Sequence, residues 1–218
     1  DQYRELSLLP VPKGTATLES TEVAELQINR FGTLLAESAP GTIKYWSHHQ
    51  SDQLLGDNPT EADLVVPPLY RQPVKQILKK IGFESSNHTE QAMNIRDYFR
   101  ENFYYSLAGQ NKLGSYVSLA HFLTRSKTGH CEYFATATTL LLRAAGIPAR
   151  YAVGYVVQDY SRLEEAHIAR DRDAHSWALA FINGNWVTID STPSSWHVLE
   201  NSATSRFQVV QDIMDWAL

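Results

Sequence analysis

The dipeptide Asn183-Gly184 lies between two runs with the pattern of β-strands, 174–182 and 185–190. Asn-Gly is the strongest short-range signal for a β-hairpin, because a type I′ turn requires positive φ at both central positions. A two-residue loop also fixes which side chains of the two strands share a face. In this register His175 and Asp190 are diagonal neighbours on one face, roughly 7–8 Å apart at the backbone. The hairpin therefore predicts an imidazole and a carboxylate within hydrogen-bonding reach of each other.

Helical patterns fill the chain ahead of this hairpin, from residue 70 to residue 146. Apolar residues recur there at three- and four-residue steps, the spacing of a helix face that packs on a core. Four helices are predicted. The first ends at Gly82, the second runs from near Thr89 to 103, the third covers 119–123, and the fourth lies between Gly129 and Gly146. A run from Tyr151 to Val157 with apolar residues on both faces predicts a central strand. Helices followed by strands indicate an α+β fold.

The first part of the chain, residues 1–67, is predicted to be a β-rich extension without a functional motif. Ala24, Leu26 and Ile28 alternate with polar residues, as in a half-buried strand, although a helix over 22–37 is an alternative. Ile43 and Tyr45 indicate a second, weaker strand. We expect a catalytic core at 68–196 and a C-terminal segment at 197–218.

Composition excludes some classes of function. The net charge of −5 and the lack of a Lys/Arg stripe argue against nucleic-acid binding. No apolar run reaches the roughly 18–20 residues that span a bilayer. The sequence opens on Asp1 without a Met or a signal-like segment, which we interpret as a processed or excised piece. His48-His49 and His167 lack the spacing of a metal site, so no metal or cofactor is predicted.

Cys131 is the only cysteine and stands where the helix after Gly129 is predicted to start. A buried small hydrophobic side chain is the plain interpretation of a lone cysteine. A helix N-terminus and a nearby imidazolium, however, both favour the thiolate, which is the nucleophilic form. Together with His175 and Asp190 this residue completes a Cys-His-Asp set for nucleophilic catalysis.

At these residues the sequence resembles the transglutaminase-like superfamily, and most of all its bacterial membrane-anchored branch. The likeness covers roughly residues 68–196. The segments that carry it are Gly-His-Cys-Glu-Tyr-Phe-Ala at 129–135 with its continuation to 150, Asp-Ala-His-Ser-Trp at 173–177 and Trp-Val-Thr-Ile-Asp-Ser-Thr-Pro at 186–193. Ser191 is a departure, since the family commonly has proline after the aspartate.

The resemblance implies a papain-like, transglutaminase-like core, with the cysteine at the N-terminus of a central helix packed on an antiparallel β-sheet. Cys131 would be the nucleophile, His175 the general base and then acid, and Asp190 the carboxylate that orients the imidazole. Trp177 is a candidate for shielding the His–Asp hydrogen bond from water. His130 is a candidate for orienting the helix start.

One oxyanion donor is expected at the backbone N–H of Cys131. A second donor is not identified by the sequence, and its candidates are Tyr104, Tyr105, Gln110 and Tyr116. The charge-dense stretch 159–173 is predicted to be a solvated loop, with a flap over the cleft as the alternative.

The resemblance implies acyl transfer from a protein or peptide glutamine to an amine. Hydrolysis of an amide by the same triad, as in a cysteine protease or amidase, is the alternative. A non-catalytic binding module is a third. The resemblance also implies a location on the periplasmic or extracellular face of a bacterial inner membrane, as a soluble domain of a membrane protein whose membrane segments lie outside this chain.

Overall fold

The protein is described from a computed structural model that covers residues 5–38, 43–50, 56–82, 87–107, 119–157, 159–162, 165–169 and 173–197. Contacts divide the chain into two compact units. The N-terminal unit comprises the residues up to Thr60 and the hairpin tip Phe181–Val187. The core unit comprises Glu61–Ala180 and the residues from Thr188 onward.

Up to Thr60, the described residues of the N-terminal unit form five short strands. They are β1 (Glu5–Leu9), β2 (Thr15–Glu19), β3 (Val23–Ile28), β4 (Leu34–Ser38) and β5 (Trp46–His49). β4 pairs antiparallel with β1 and β3, and β2 pairs with β5. The strand predicted from the alternation at Ala24–Ile28 is confirmed and the alternative helix is wrong, while the second strand begins at Trp46 rather than at Ile43.

The described residues of the core unit include the α-helices α1 (Pro68–Ile81), α2 (His88–Asn102) and α3 (Cys131–Ala144). Gly82 ends α1 with a φ of 76°, as its position in the sequence predicts. The side chain of Asn87 caps α2 by accepting a hydrogen bond from the backbone N–H of Glu90 at 3.0 Å. The predicted short helix is present as helical backbone at 119–121 that continues into a π-helical turn, Phe122–Ser126.

An aromatic cluster packs around the first turns of α3. Its members are the fully buried rings of Phe99, Phe103, Phe122 and Phe134. Their ring centroids lie between 4.8 and 6.4 Å apart, mostly in edge-to-face or tilted arrangements. The rings of α2, the π-helical turn and α3 thus hold the start of α3 in place.

The sheet of the core consists of β8 (Ala149–Tyr155), β11 (Ala174–Ile182) and β12 (Asn185–Ile189), in the order β12-β11-β8. β11 pairs antiparallel with β8 and places His175 opposite Gly154. Asn183 and Gly184 form the two-residue loop with φ values of 52° and 81°, so the predicted hairpin is confirmed. The prediction of a central strand at 151–157 is wrong. Within the described residues β8 is an edge strand that leaves Tyr151, Val153 and Tyr155 exposed.

Two small strand pairings are also seen in the described residues of the core unit. β6 (Tyr104–Tyr105) runs parallel to β7 (Thr128–Gly129), just ahead of α3. β9 (Asp159–Ser161) and β10 (Ala166–Ile168) form an antiparallel pair inside the charge-dense stretch predicted as a loop, so that prediction is corrected there. Among the described residues, no helix combines the length and the apolar character needed to cross a membrane.

Candidate active site

Cys131 is the first residue of α3 and is 8% exposed. The chain enters the helix through His130, which is extended with φ −95° and ψ 178°. Because Gly129 has no Cβ, the backbone can pass close to the rings of Tyr133 and Phe122; a Cβ there would lie 3.0–3.1 Å from them. Since the helix starts at Cys131, its backbone N–H has no acceptor within the helix and the positive end of the helix dipole lies beside the thiol.

His175 lies near the start of β11 and is 2% exposed. Its Nε2 is 3.0 Å from Oδ2 of Asp190, the contact that the hairpin register predicts. On the other side of the ring, Nδ1 is buried and meets no described nitrogen or oxygen at hydrogen-bonding distance, so the ring interacts with the sulfur of Cys131 from this edge. This edge of the imidazole is therefore the one available to the thiol of Cys131.

Asp190 follows β12 directly and is held at both its carboxylate and its backbone. The backbone N–H of Thr192 donates a hydrogen bond to Oδ1 at 2.9 Å. Nη2 of Arg100, on α2, donates to the backbone carbonyl oxygen of Asp190 at 2.9 Å. Burial acts to raise the pKa of Asp190, but the hydrogen bonds from His175 and Thr192 outweigh it and lower the pKa. Asp190 is thus a fixed, ionised partner for the imidazole.

The thiol and the imidazole shift each other's ionisation. Burial acts to raise the pKa of Cys131, but hydrogen bonds from His130 and His175, the charge of His175 and the backbone N–H of Ser176 lower it to about 6. Burial acts to lower the pKa of His175, but its hydrogen bonds to Asp190 and Cys131 and their charges raise it to about 9. Between these values the favoured state is a thiolate–imidazolium pair, a nucleophile beside an acid.

Two tryptophans flank His175. Trp177 stacks near it at 6.1 Å between ring centroids and 27° between ring planes, as expected for a side chain on the same strand face. Trp196 lies much closer and parallel, at 4.1 Å and 10°. Trp196 is buried and follows Pro193 in the segment after β12. Trp196 was not predicted from the sequence, because it lies beyond the end of β12 in backbone that is helical at 196–197, so no strand periodicity points to it.

The other predicted supporting residues differ in their positions. His130 interacts with the thiol of Cys131 and packs edge-on against Tyr133 at 4.9 Å. Tyr105 is buried, pairs with Gly129 across β6 and β7, and lies 6.5 Å from the ring of Trp196. Tyr104 is 69% exposed, and Gln110 and Tyr116 lie outside the described residues. Of the four candidates for a second oxyanion donor, Tyr105 is thus the one seen buried beside the site.

Metal-binding side chains do not cluster in the described part of the chain, where no group of three His, Cys, Asp or Glu residues could hold an ion. The side chains and backbone of the site have a chemistry of their own. It comprises a nucleophilic sulfur, a proton donor and acceptor, and helix-start N–H groups suited to a developing oxyanion.

Sequence comparisons match the chain to one family model and to two curated relatives. A family model described as the transglutaminase-like superfamily matches residues 75–191, more than half of the chain. The uncharacterized protein YebA of Bacillus subtilis is 29% identical over 136 residues, which are 58% of this chain and 18% of that protein. A protein-glutamine gamma-glutamyltransferase of Pseudomonas aeruginosa is 33% identical over 72 residues, 33% of this chain and 11% of that protein. The chain thus spans less than a fifth of the length of either relative.

A solved structure shares the fold. The periplasmic domain of TgpA from Pseudomonas aeruginosa superposes with a TM-score of 0.65 at 18% identity, over 92% of this chain and 74% of that one. The predicted transglutaminase-like α+β fold, with Cys131 at the start of its central helix, is confirmed.

Proposed function

The chain belongs to the transglutaminase-like superfamily, and on that premise we propose that it is an acyltransferase. In this proposal Cys131 forms a thioester with the side chain of a protein or peptide glutamine. The acyl group then passes to a primary amine such as a lysine side chain, and the product is an isopeptide bond.

The observation that carries the proposal is the geometry of the site, in which Cys131 begins α3 and His175, held 3.0 Å from Asp190, interacts with its thiol. This arrangement lowers the pKa of Cys131 to about 6 and raises the pKa of His175 to about 9. At neutral pH the sulfur of Cys131 is then anionic and His175 is protonated before substrate arrives. A site prepared in this way needs no further proton transfer before attack on a carbonyl carbon.

The first half-reaction consumes the proton of His175. The sulfur of Cys131 bonds to the carboxamide carbon, and the oxyanion that develops is stabilised by the backbone N–H of Cys131. The C–N bond then breaks as His175 gives its proton to the leaving nitrogen, which departs as ammonia. A neutral His175, still oriented by Asp190, remains beside the thioester.

The second half-reaction restores the starting state. The amine nitrogen attacks the thioester carbon while Nδ1 of His175 accepts a proton from it. The C–S bond breaks and returns the thiolate of Cys131 beside an imidazolium. Asp190 stays ionised throughout, stabilises the imidazolium and fixes the tautomer that presents Nδ1 to the sulfur.

We also propose a location and a class of substrate. One relative is named for transfer of glutamine acyl groups, and the structure with the same fold is a periplasmic domain. These support a role on the periplasmic or outer face of a bacterial inner membrane, as a domain of a membrane protein. Proteins of the cell envelope are then the expected glutamine donors.

The test is to incubate the protein with a glutamine-containing protein whose lysines are blocked and with a labelled primary amine. We expect the label to enter the protein with release of one ammonia per amine, and Cys131→Ala to abolish both. New amino termini without incorporation of the amine would instead show a hydrolase and would contradict the transferase proposal. Replacing glutamine by asparagine in a short peptide donor is the matched substrate control.

A further inference from the structure

A buried pair of hydroxyl groups links the two halves of the candidate triad. Oγ1 of Thr138 lies 2.6 Å from Oγ of Ser191, and the two residues are 0% and 2% exposed. Thr138 belongs to α3, and Ser191 directly follows Asp190 after the end of β12. One hydroxyl therefore sits on the helix that carries the thiol and the other beside the carboxylate that orients the imidazole.

We propose that Thr138 and Ser191 are positioning residues, whose hydrogen bond holds Asp190 at the distance and angle at which His175 can serve Cys131. This inference rests on the proposed catalytic role of the triad. It concerns how the triad is held together, and it is independent of which acyl acceptor the enzyme uses.

The place of Thr138 on the helix supports this role. Thr138 is seven residues after Cys131, which is about two helical turns, so the two side chains lie on nearly the same side of α3. Cys131, at the helix start, interacts with His175 on β11. The Ser191 hydroxyl meets the same side of the helix further along, so α3 and the strand ends are joined at two points.

The hydrogen bonds that Thr192 and Arg100 make to Asp190 do not connect its segment to α3, so that connection depends on Ser191. The backbone N–H of Thr192 fixes Oδ1 within the same segment, and Arg100 ties the carbonyl oxygen to α2. Both bonds hold the Asp190 segment, but neither joins it to the helix that carries the nucleophile. The Thr138–Ser191 bond makes that join, and a shift of a fraction of an ångström there moves the carboxylate relative to the sulfur.

The chain offers a matched control on the same helix. Thr139 is the next residue, is 4% exposed, and donates its hydroxyl hydrogen to the backbone carbonyl of Ala135 at 2.8 Å. Thr139→Val and Thr138→Val therefore remove the same atoms from neighbouring buried positions. Only Thr138→Val removes the bond to Ser191.

The experiment follows the rate of Cys131 alkylation by iodoacetamide across pH, together with kcat and KM for amine incorporation. We expect Thr138→Val and Ser191→Ala each to lower the alkylation rate at pH 7 and kcat by about 10- to 100-fold, with KM little changed. The acid limb of the alkylation profile should move upward from near pH 6, toward that of an ordinary thiol. Thr138→Ser, which keeps the hydroxyl, should behave like the natural protein.

A double variant separates positioning from stability. Ser191→Ala combined with Thr138→Val removes both hydroxyls of the pair, so neither is left buried without the other, and the double variant should be more stable than either single variant. The alkylation profile of the double variant should nevertheless stay shifted to higher pH. Its loss of kcat should equal that of either single variant, and not the product of the two losses.

The proposal is overturned if Thr138→Val and Ser191→Ala keep the natural pH profile, or if Thr139→Val moves it as far as Thr138→Val does. It is also overturned if the double variant regains the natural profile along with its stability. Alkylation reports on the thiol without any acyl acceptor. If the natural protein shows an acid limb near pH 6 but incorporates no amine, the proposed function is contradicted. The alkylation profiles of the variants then still test the role of Thr138 and Ser191.

Discussion

The two units of the molecule have cores of different kinds. In the N-terminal unit, the small core centres on Leu9, Leu34 and Ala36, with partly buried side chains around them. In the core unit, three phenylalanine rings pack against Phe134 in the first turns of α3, and most of α3 itself is buried. The first core holds short strands together, whereas the second also fixes the direction of the helix that begins at Cys131.

The difference indicates which part of the sequence the proposed chemistry depends on. Cys131, His175, Asp190 and Trp196 all belong to the core unit. Interdigitated aromatic rings resist displacement, and a nucleophile must be held to a fraction of an ångström. We therefore expect substitutions in the core unit to change the reactivity of Cys131, and equally severe substitutions in the N-terminal unit to leave it unchanged.

The largest effect is expected at the carboxylate of the core unit. Asp190→Asn keeps the shape of the side chain but removes the charge and offers an amide that favours the wrong imidazole tautomer. We expect kcat for amine incorporation to fall roughly 10³- to 10⁴-fold and the pKa of Cys131, measured by alkylation, to rise. Asp97→Asn on the surface of α2 is the control and should change neither. Wild-type kinetics for Asp190→Asn would remove Asp190 from the triad.

A smaller effect is expected at Trp196, whose ring lies parallel to His175 at 4.1 Å. An aromatic face stabilises an adjacent cation by about 0.5–2 kcal/mol, so Trp196→Leu should slow Cys131 alkylation at pH 7 roughly 2- to 30-fold. The pKa of His175, which NMR titration measures, should fall. Trp196→Phe should retain part of the effect. Equal behaviour of the Leu and Phe variants would show that the ring only fills space.

Gly154 tests the packing behind the imidazole. A Cβ at this position would lie 2.6 Å from Cη2 of Trp177, so Gly154→Ala must displace that ring. Overpacking of this kind costs about 1–3 kcal/mol, and the melting temperature should drop by several degrees with a few-fold loss of alkylation rate. Adding Trp177→Phe should relieve the clash and restore the melting temperature. If Gly154→Ala keeps the melting temperature of the natural protein, and adding Trp177→Phe does not raise it, the contact between residue 154 and Trp177 is not tight.

The smallest effect on reactivity is expected in the N-terminal unit. Leu34→Ala removes a buried side chain there, at a cost of roughly 2–5 kcal/mol to the stability of its surroundings. The alkylation rate of Cys131 should stay within about 2-fold of the natural protein's rate. Leu141→Ala, the same change in buried α3, should lower both stability and alkylation rate. If the two variants lose reactivity alike, the contrast between the units fails.

Local signals in the sequence predicted much of this arrangement. Asn183-Gly184 fixes the hairpin because few residues adopt positive φ at low cost, and the hairpin in turn brings His175 to Asp190. Gly82 marks the end of α1 for the same reason. Features of this kind depend on neighbours along the chain, so a single sequence is enough to reveal them.

Features set by distant residues were missed or misjudged. Apolar residues on both faces of β8 suggested a central strand, but Val153 is 66% exposed on an edge. The stacking of Trp196 on His175 and the Thr138–Ser191 bond join residues far apart in sequence, and neither leaves a periodic pattern. Charged residues in the stretch 159–173 suggested a loop, although a short antiparallel pair forms there. Propensity and periodicity carry no information about such tertiary contacts.

The central claim is that Cys131 and His175 form an ion pair at neutral pH, and the rate of Cys131 alkylation against pH tests it most directly. Below about pH 6 the thiolate gains a proton and the rate should fall; above about pH 9 the imidazolium loses its proton and the profile should change again. Iodoacetate, which is anionic, should be favoured over neutral iodoacetamide only between these two limbs. The account predicts this two-limbed profile, with both limbs altered in Asp190→Asn. A single limb near pH 8.5, identical for both reagents, would contradict it.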